Sequence, residues 1–366
     1  MISLALGLLV VAGCGDKDTT SDDTGSGSDD TGGDTNLNSL TWGASAITAP
    51  DTSNWLGAYV ADEDNIWILA GGGVTYFDGA SWTLSAQQDQ FGFDPNAPDM
   101  TIFFDPWAIS GSSTTDVYVV CGNSMIASFD GTSWTQLSNG YGPEDLNTYQ
   151  PLLSPGSMWA SGSGAAYHLS RGGDYNFVTW DGSTRTTTAL DTMVGNLDYA
   201  PHIVWGLDDN DIWVGGALTS LFNSPIHHWD GSSWSRATIE AGDEGRVVGF
   251  WGTAADDMWM AVTGNQYGSK LYRSASNGGW ELADTRPVDG TDNPVYYDIW
   301  GTSNSNIFVG GNQGLFRYNG TDWTEIDLGA DAAGLAVLRI HGITASKLVV
   351  EVGNSTEKAF YLVEGL

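Results

Sequence analysis

Residues 318–323 read YNGTDW, and nearly the same hexapeptide returns as FDGASW (77–82), FDGTSW (129–134) and WDGSSW (229–234). Each is an aromatic residue, Asp or Asn, Gly, two small residues and Trp. Such self-similarity means that one supersecondary unit is used repeatedly, and a unit of this kind buries its apolar faces only by stacking on its neighbours. The whole unit is displayed at 296–326, YYDIWGTSNSNIFVGGNQGLFRYNGTDWTEI. It reads as an apolar strand ending in Trp300-Gly301, a polar turn, NIFVGG, a short loop, LFRYNG and a strand opening at Trp323, four short strands in a meander.

The Trp-Gly step and the strand that opens seven residues later give a register. It makes Tyr59, Ser110, Pro151, Trp205, Trp251, Trp300 and His341 equivalent, ahead of Ile66, Val117, Met158, Ile212, Met258, Ile307 and Leu348, seven units spaced by 41 to 54 residues. The seventh ends at Glu364-Gly365, before a fourth strand, while SLTWGASAIT (39–48) is an orphan strand at the start of the folded region. The orphan completes the last unit, which removes the two free sheet edges of an open array. The sequence therefore predicts an all-β protein, a seven-bladed β-propeller over residues 38–366 whose last blade is closed by the N-terminal strand. Two units depart from the pattern: WDGSTRTT (180–187) has Arg185 in place of Trp, and ASNGGWEL (275–282) is read as one residue shorter.

Asp-Gly or Asn-Gly supplies positive φ to a tight hairpin between the third and fourth strands, and the Trp covers the blade, so the repeated turn is structural. It resembles the Asp-box hairpin of sialidases and kelch-like propeller repeats, with Asp and Gly adjacent here rather than separated by one residue.

The chain begins MISLALGLLVVAGCG, an apolar run too short to span a bilayer and suited to a signal peptide over residues 1–13. Val11-Ala12-Gly13-Cys14 resembles the lipobox of bacterial lipoproteins, which implies cleavage by signal peptidase II and lipidation (palmitate) of Cys14. Residues 14–37 then read as a tether of Asp, Ser, Thr and Gly with no core to build. Gly15 follows Cys14, so the inner-membrane retention Asp of such lipoproteins is lacking and the expected site is the outer membrane, periplasmic or surface-exposed. The other cysteine, Cys121, is expected to be a small buried hydrophobe.

Twelve Lys and Arg against 45 Asp and Glu give a net charge of −33, which disfavours binding to nucleic acid or anionic lipid. The turns joining strands one to two and three to four are short. The opposite face carries the long insertions 86–104, 138–148, 161–177, 215–225 and 284–293, and long loops in a compact repeat fold are where binding residues gather. Two residues before the Trp-Gly site, the register places Gly57, Ala108, Tyr149, Ile203, Gly249, Asp298 and Arg339 along the channel. Asp298 and Arg339 are then expected to pair beside Tyr149, with Trp107, His202, Tyr296 and Tyr297 at the mouth. Aromatic platforms beside a few polar groups suit a sugar or a peptide.

Catalytic motifs are missing: the sequence has no GxSxG, HExxH or GxxxxGK[ST], and the adjacent His227 and His228 point to opposite faces of a strand. Acidic runs at 61–65, 208–211 and 255–257 are read as turn formers rather than calcium ligands, so no cofactor or metal is expected. The leading expectation is a monomeric, membrane-anchored, non-catalytic lipoprotein that binds a protein or glycan of the cell envelope through the long-loop face. The alternatives are a glycan hydrolase or lyase using carboxylates at the channel mouth, and an outer-membrane assembly scaffold. The propeller lipoprotein of that machinery carries a quinoprotein-like repeat that this sequence lacks.

Overall fold

The structure, a computed structural model, describes residues 37–48, 55–70, 73–87, 106–121, 125–138, 150–151, 157–172, 174–190, 199–218, 226–237, 239, 245–264, 268–275, 278–283, 294–354 and 356–366. Its strands pair into seven antiparallel sheets, the blades of a propeller. Blades 1 to 6 use residues 55–87, 106–138, 150–189, 199–237, 246–282 and 296–326 in order. Blade 7 joins strands Ala336–Thr344, Lys347–Gly353 and Lys358–Gly365 to the N-terminal strand Trp42–Ile47, which runs antiparallel to the last from Trp42↔Gly365 to Ile47↔Phe360. The predicted closure is therefore present.

The core lies between blades. Trp67 and Leu69 of blade 1 pack with Val117, Val119 and Met125 of blade 2, and Phe308 of blade 6 meets Val337 and Val350 of blade 7. Ile66 and Ile68 of blade 1 meet Val349 and Phe360 of blade 7, which completes the ring. Cys121 is fully buried in the first of these clusters. Each blade thus covers both faces with its neighbours, the condition a repeat fold must meet.

The Trp-Gly step has a physical reason. The aromatic residue of one innermost strand lies on the glycine of the next: a Cβ added to Gly206 would come within 2.8 Å of Trp159, at Gly111 within 2.5 Å of Tyr59, and at Gly342 it would overlap the indole of Trp300. Where the preceding blade offers a smaller side chain, the glycine is replaced. Ala160 follows Ser110, whose hydroxyl accepts a 3.1 Å hydrogen bond from the Ala160 amide.

The repeated turn is held by its acid. Asp78 accepts hydrogen bonds from the amides of Ala80 (3.0 Å) and Ser81 (2.7 Å), and Asp130, Asp181, Asp230 and Asn319 do the same in their turns. The glycine after it has φ of +83° to +94° (Gly79, Gly131, Gly182, Gly231, Gly320), a region that favours glycine. A Cβ at Gly79, Gly131, Gly231 or Gly320 would also strike Asp64, Thr115, Asn210 or Ser305 of the same blade's first turn. Both turns therefore share one face, as expected.

Two expectations need correction. In blade 3 the innermost strand is broken into Gln150–Pro151 and Met158–Ala160, both paired with Ala166–Gly172. Trp159↔Tyr167 matches Trp205↔Trp213, so Trp159 and Ala166, not Pro151 and Met158, hold the repeat positions. A long insertion ahead of Trp159 misled the spacing. Residues 161–177 are accordingly a short turn and the second-to-third hairpin rather than a long loop. In blade 5, Ser274 pairs with Trp280 where Phe77 pairs with Trp82, so that turn is longer by one residue, not shorter.

The turn carboxylates carry a pH dependence. Backbone amides of Ser81, Ser133 and Thr184 hold Asp78, Asp130 and Asp181 below the usual carboxylate range, and at Asp230 the Ser232 hydroxyl is the chief cause. A depressed folded-state pKa contributes stability that is complete above the unfolded value, about 3.9, and is lost as pH falls through the folded one. Thermal scans are expected to show a midpoint falling below about pH 4, less steeply in a variant with all four changed to Asn, the residue already used at Asn319. An identical slope in both proteins would contradict this role.

Candidate functional site

In six blades the innermost strand carries an extra residue against its partner at two places, one at the turn after the Trp-Gly step and one ahead of it. The register shifts ahead of it fall between Trp55 and Gly57, Pro106 and Ala108, Pro201 and Ile203, Val247 and Gly249, Tyr296 and Asp298, and Val337 and Arg339. The extra residues are Leu56, Trp107, His202, Val248, Tyr297 and Leu338. Because neighbouring blades cover both faces of an innermost strand, the solvent left to it is that of the axial channel. Leu56 is exposed and Trp107, His202, Tyr297 and Leu338 are half-buried, between residues such as Pro201, Ile203, Tyr296 and Val337 that are buried. A bulge re-aims a side chain, and in five of these blades it leaves the extra residue partly exposed, whereas Val248 of blade 5 is buried in the core.

This explains where the expected residues sit. Trp107 and His202 occupy bulge positions, and burial followed by the charge of Arg246 pushes the His202 imidazole down to about 4. Tyr296 does not belong at the mouth: it is 2% exposed and packed in the core between blades 5 and 6. The bulge reverses the alternation of faces, so Tyr297 takes the open side. Tyr149 lies outside the described residues, and its place in the register falls to the fully buried Ser157. Cys14 and most of the long-loop face, including residues 88–105, 139–149 and 219–225, also lie outside them.

Asp298 and Arg339 do meet, across the seam of blades 6 and 7. Asp298 Oδ1 is 3.8 Å from Arg339 Nη1, with side chains 14% and 19% exposed. Asp298 is chiefly a staple: Oδ1 accepts from the Ile299 amide (3.0 Å) and Oδ2 from the Ile340 amide of the next blade (2.9 Å). Burial nonetheless pushes its carboxyl up, against the opposing pull of Arg339. The pairing is loose enough to leave guanidinium donors for another group.

Sequence reasoning missed two members of this cluster. Glu351 is the cross-strand partner of Arg339 and is 2% exposed; its Oε1 is 3.5 Å from Lys358 Nζ, and its Oε2 has no hydrogen-bond partner. Burial pushes its carboxyl up while Lys358 and Arg339 oppose that. A single Glu inside the apolar run KLVVEVG, opposite an Arg, was the available signal. The neighbouring His341 is pushed down to about 3 by burial, as are His168 to about 3 and His227 to about 4. These imidazoles are neutral at neutral pH. His228 instead bonds Asp211 at 2.9 Å and stacks on Trp213, so it faces away from the buried His227. Among the described residues no group of three or more His, Cys, Asp or Glu side chains is arranged to hold a metal. The acidic first turns bond within the protein: Asp62 and Asp208 accept from the amides of Asp64 and Asn210, and Asp257 from the hydroxyl of Thr253.

No family model matches the chain, and no curated protein matches it in sequence. Solved structures share the fold. YCF48 from Cyanidioschyzon merolae superposes with a TM-score of 0.62 at 13% identity over 88% of this chain and 98% of that one. A structure of YCF48 bound to D1 peptide gives 0.56 at 16% identity over 89% and 96%. PorZ, a surface component of the type-IX secretion system of Porphyromonas gingivalis, gives 0.60 at 14% over 87% of this chain and 48% of that one. At these identities the likeness is one of fold.

The buried carboxyl of Glu351 sets a second pH dependence, opposite in sign to that of the turns. An acid whose folded pKa is raised contributes stability that is lost as pH rises from its unfolded value, about 4.3, through the folded one. Glu351→Gln is therefore expected to gain on the parent protein in melting temperature as pH is raised from about 5 to 8. A deficit of constant size across that range would contradict a buried acid whose carboxyl is raised.

Proposed function

We propose that the protein is a non-catalytic binding lipoprotein that recognises a protein or glycan of the cell envelope around the mouth of its central channel. The observation that supports this most is the set of half-buried residues Trp107, His202, Tyr297 and Leu338 at equivalent bulge positions of four innermost strands, with Arg339 one residue beyond Leu338 and 3.8 Å from Asp298. Apolar platforms with a few polar groups make a recognition site. Burial pushes the imidazoles of His341 to about 3 and of half-buried His202 to about 4, so both are neutral at neutral pH.

The reading places the propeller at the outer membrane, periplasmic or at the surface, held through an acylated Cys14 and the acidic tether that follows it. Support comes from the sequence resemblance and from the bacterial surface location stated for PorZ, which has the same fold. A protein partner is supported by the peptide bound to YCF48. The charge of −33 argues for a partner other than nucleic acid. The enzymatic reading rests on Asp298 and Glu351, two carboxyls raised by burial in one cluster; such perturbation also arises in structural ion-pair networks. No cofactor is invoked.

Two experiments test this. Cys14→Ser is expected to move the protein from the membrane to the soluble fraction, and unchanged partitioning would remove the anchor. The full chain, applied to glycan, peptidoglycan-fragment and peptide arrays with mass spectrometry of the same wells, is expected to bind without product. Turnover abolished by a single carboxylate substitution would replace the binding reading with the enzymatic one.

A further inference from the structure

A closed ring of blades still leaves the outermost strand of every blade with one unpaired edge, a template for further pairing that proteins blunt with charges, bulges or shortness. Six of the seven outer strands are blunted in this way. Trp82–Gln87 and Trp134–Ser138 are bulged at Ser85 and Leu137. Arg185–Ala189, Trp234–Ala237, Trp280–Leu282 and Trp323–Ile326 carry Arg185, Arg236, Glu281 and Glu325, and the last three have four residues or fewer. The seventh, Trp42–Ile47, is six residues long with neither a charge nor a bulge.

The pairing of this strand shows which groups its edge presents. Thr41 and Leu366 exchange both backbone hydrogen bonds, at 2.9 and 3.0 Å, and an antiparallel ladder alternates bonded with unbonded pairs. The N–H and C=O groups of Trp42, Ala44 and Ala46 therefore point away from the sheet. The Thr48 carbonyl continues that row and accepts from the indole N–H of Trp82 in blade 1. Gly43, Ser45 and Ala46 are exposed, so the edge is open to solvent. Beside it runs a groove of about 420 Å³ between blades 7 and 1, walled by Ser45, Ile47 and Leu362 on one side and Phe77 and Trp82 on the other. Glu63 and Asp64 also line it. Glu63 is paired with Lys347 at 2.7 Å, while Asp64 is exposed and has no ion pair among the described residues.

We infer that Trp42–Ile47 is a docking strand for an extended basic peptide, which adds to the free edge through its backbone and sets a bulky apolar side chain into the groove between blades 7 and 1. Strand addition draws affinity from main-chain hydrogen bonds and specificity from pockets for alternate side chains; the edge supplies the first and the groove the second. Charge selects the partner. Asp64 and a net charge of −33 attract Lys and Arg, and the same charge repels a second copy of this chain. This surface lies on an outermost strand, away from the channel mouth, and does not rest on the reading proposed for that mouth.

Isothermal titration of the full chain in detergent with a set of octapeptides that alternate Lys or Thr with Val, Leu or Phe tests it. Saturable binding is expected, weaker as salt is raised and abolished when alternate backbone amides of the peptide are N-methylated. Ala46→Pro removes one outward N–H and no ladder bond, and Ser45→Lys supplies the kind of charge that other edges carry. Each is expected to weaken binding about tenfold, the scale of one hydrogen bond or one charge contact. Ser45 is exposed, so Ser45→Lys is the substitution least prone to disturb the fold, and melting curves check both variants. The inference is overturned if no member of the set binds the folded parent, if N-methylation leaves binding unchanged, or if binding is indifferent to both substitutions. A concentration-dependent dimer of the parent, seen by analytical ultracentrifugation and dissolved by Ser45→Lys, would overturn it in favour of a second copy on the same edge.

Discussion

The contact on which the rest of this structure depends is an aromatic ring laid on the glycine of the next innermost strand, made at four of the blade seams. Tyr59 on Gly111, Trp159 on Gly206 and Trp300 on Gly342 bring consecutive innermost strands together closer than a Cβ would permit, and Trp251 lies 3.2 Å from where one would stand at Gly301. A dense interior responds to a single added methyl with strain of about 1–3 kcal/mol. The pattern is complementary rather than uniform: Ala160 stands where the facing residue is Ser110, and Val60 stands where the preceding blade offers His341. Ring size follows from how tightly neighbouring blades approach, so these seams fix the channel.

From the seam, the polar cluster follows. With both faces of the innermost strands occupied, the bulge is what leaves Leu56, Trp107, His202, Tyr297 and Leu338 partly exposed. Asp298 hydrogen-bonds the backbone of two blades at once, which holds Arg339 at the same level. Glu351 is then trapped behind Arg339 with one oxygen unmatched. The opposite face is built of Asx-capped turns, in which Asp78, Asp130, Asp181 and Asp230 accept from amides two or three residues on and Asp257 from the Thr253 hydroxyl.

The architecture was legible because its signals are local and repeated. Asp-Gly before Trp marks a hairpin, and the missing fourth strand of the last unit calls for Trp42–Ile47 to supply it. Blade 3 was misread because its innermost strand is interrupted ahead of Trp159, so a count of residues found Pro151 instead. Asp298 and Arg339 were found by alternation, which holds between the bulge and the Trp-Gly step. Tyr296 was misplaced because alternation reverses at the bulge, a feature of strand pairing that no residue type announces. Glu351 was visible as a charge in an apolar strand, but its unmatched oxygen is a property of packing in three dimensions.

The aromatic-on-glycine seam can be tested by a double-mutant cycle at blades 6 and 7, using urea unfolding of the parent, Gly342→Ala, Trp300→Ser and the double variant. Overpacking predicts that Gly342→Ala destabilises by about 1–3 kcal/mol in the parent. In the Trp300→Ser background the same change is expected to be neutral or stabilising, since Ala160 beside Ser110 is the protein's own version of that pair. Strictly additive losses, with Gly342→Ala equally damaging in both backgrounds, would contradict the account.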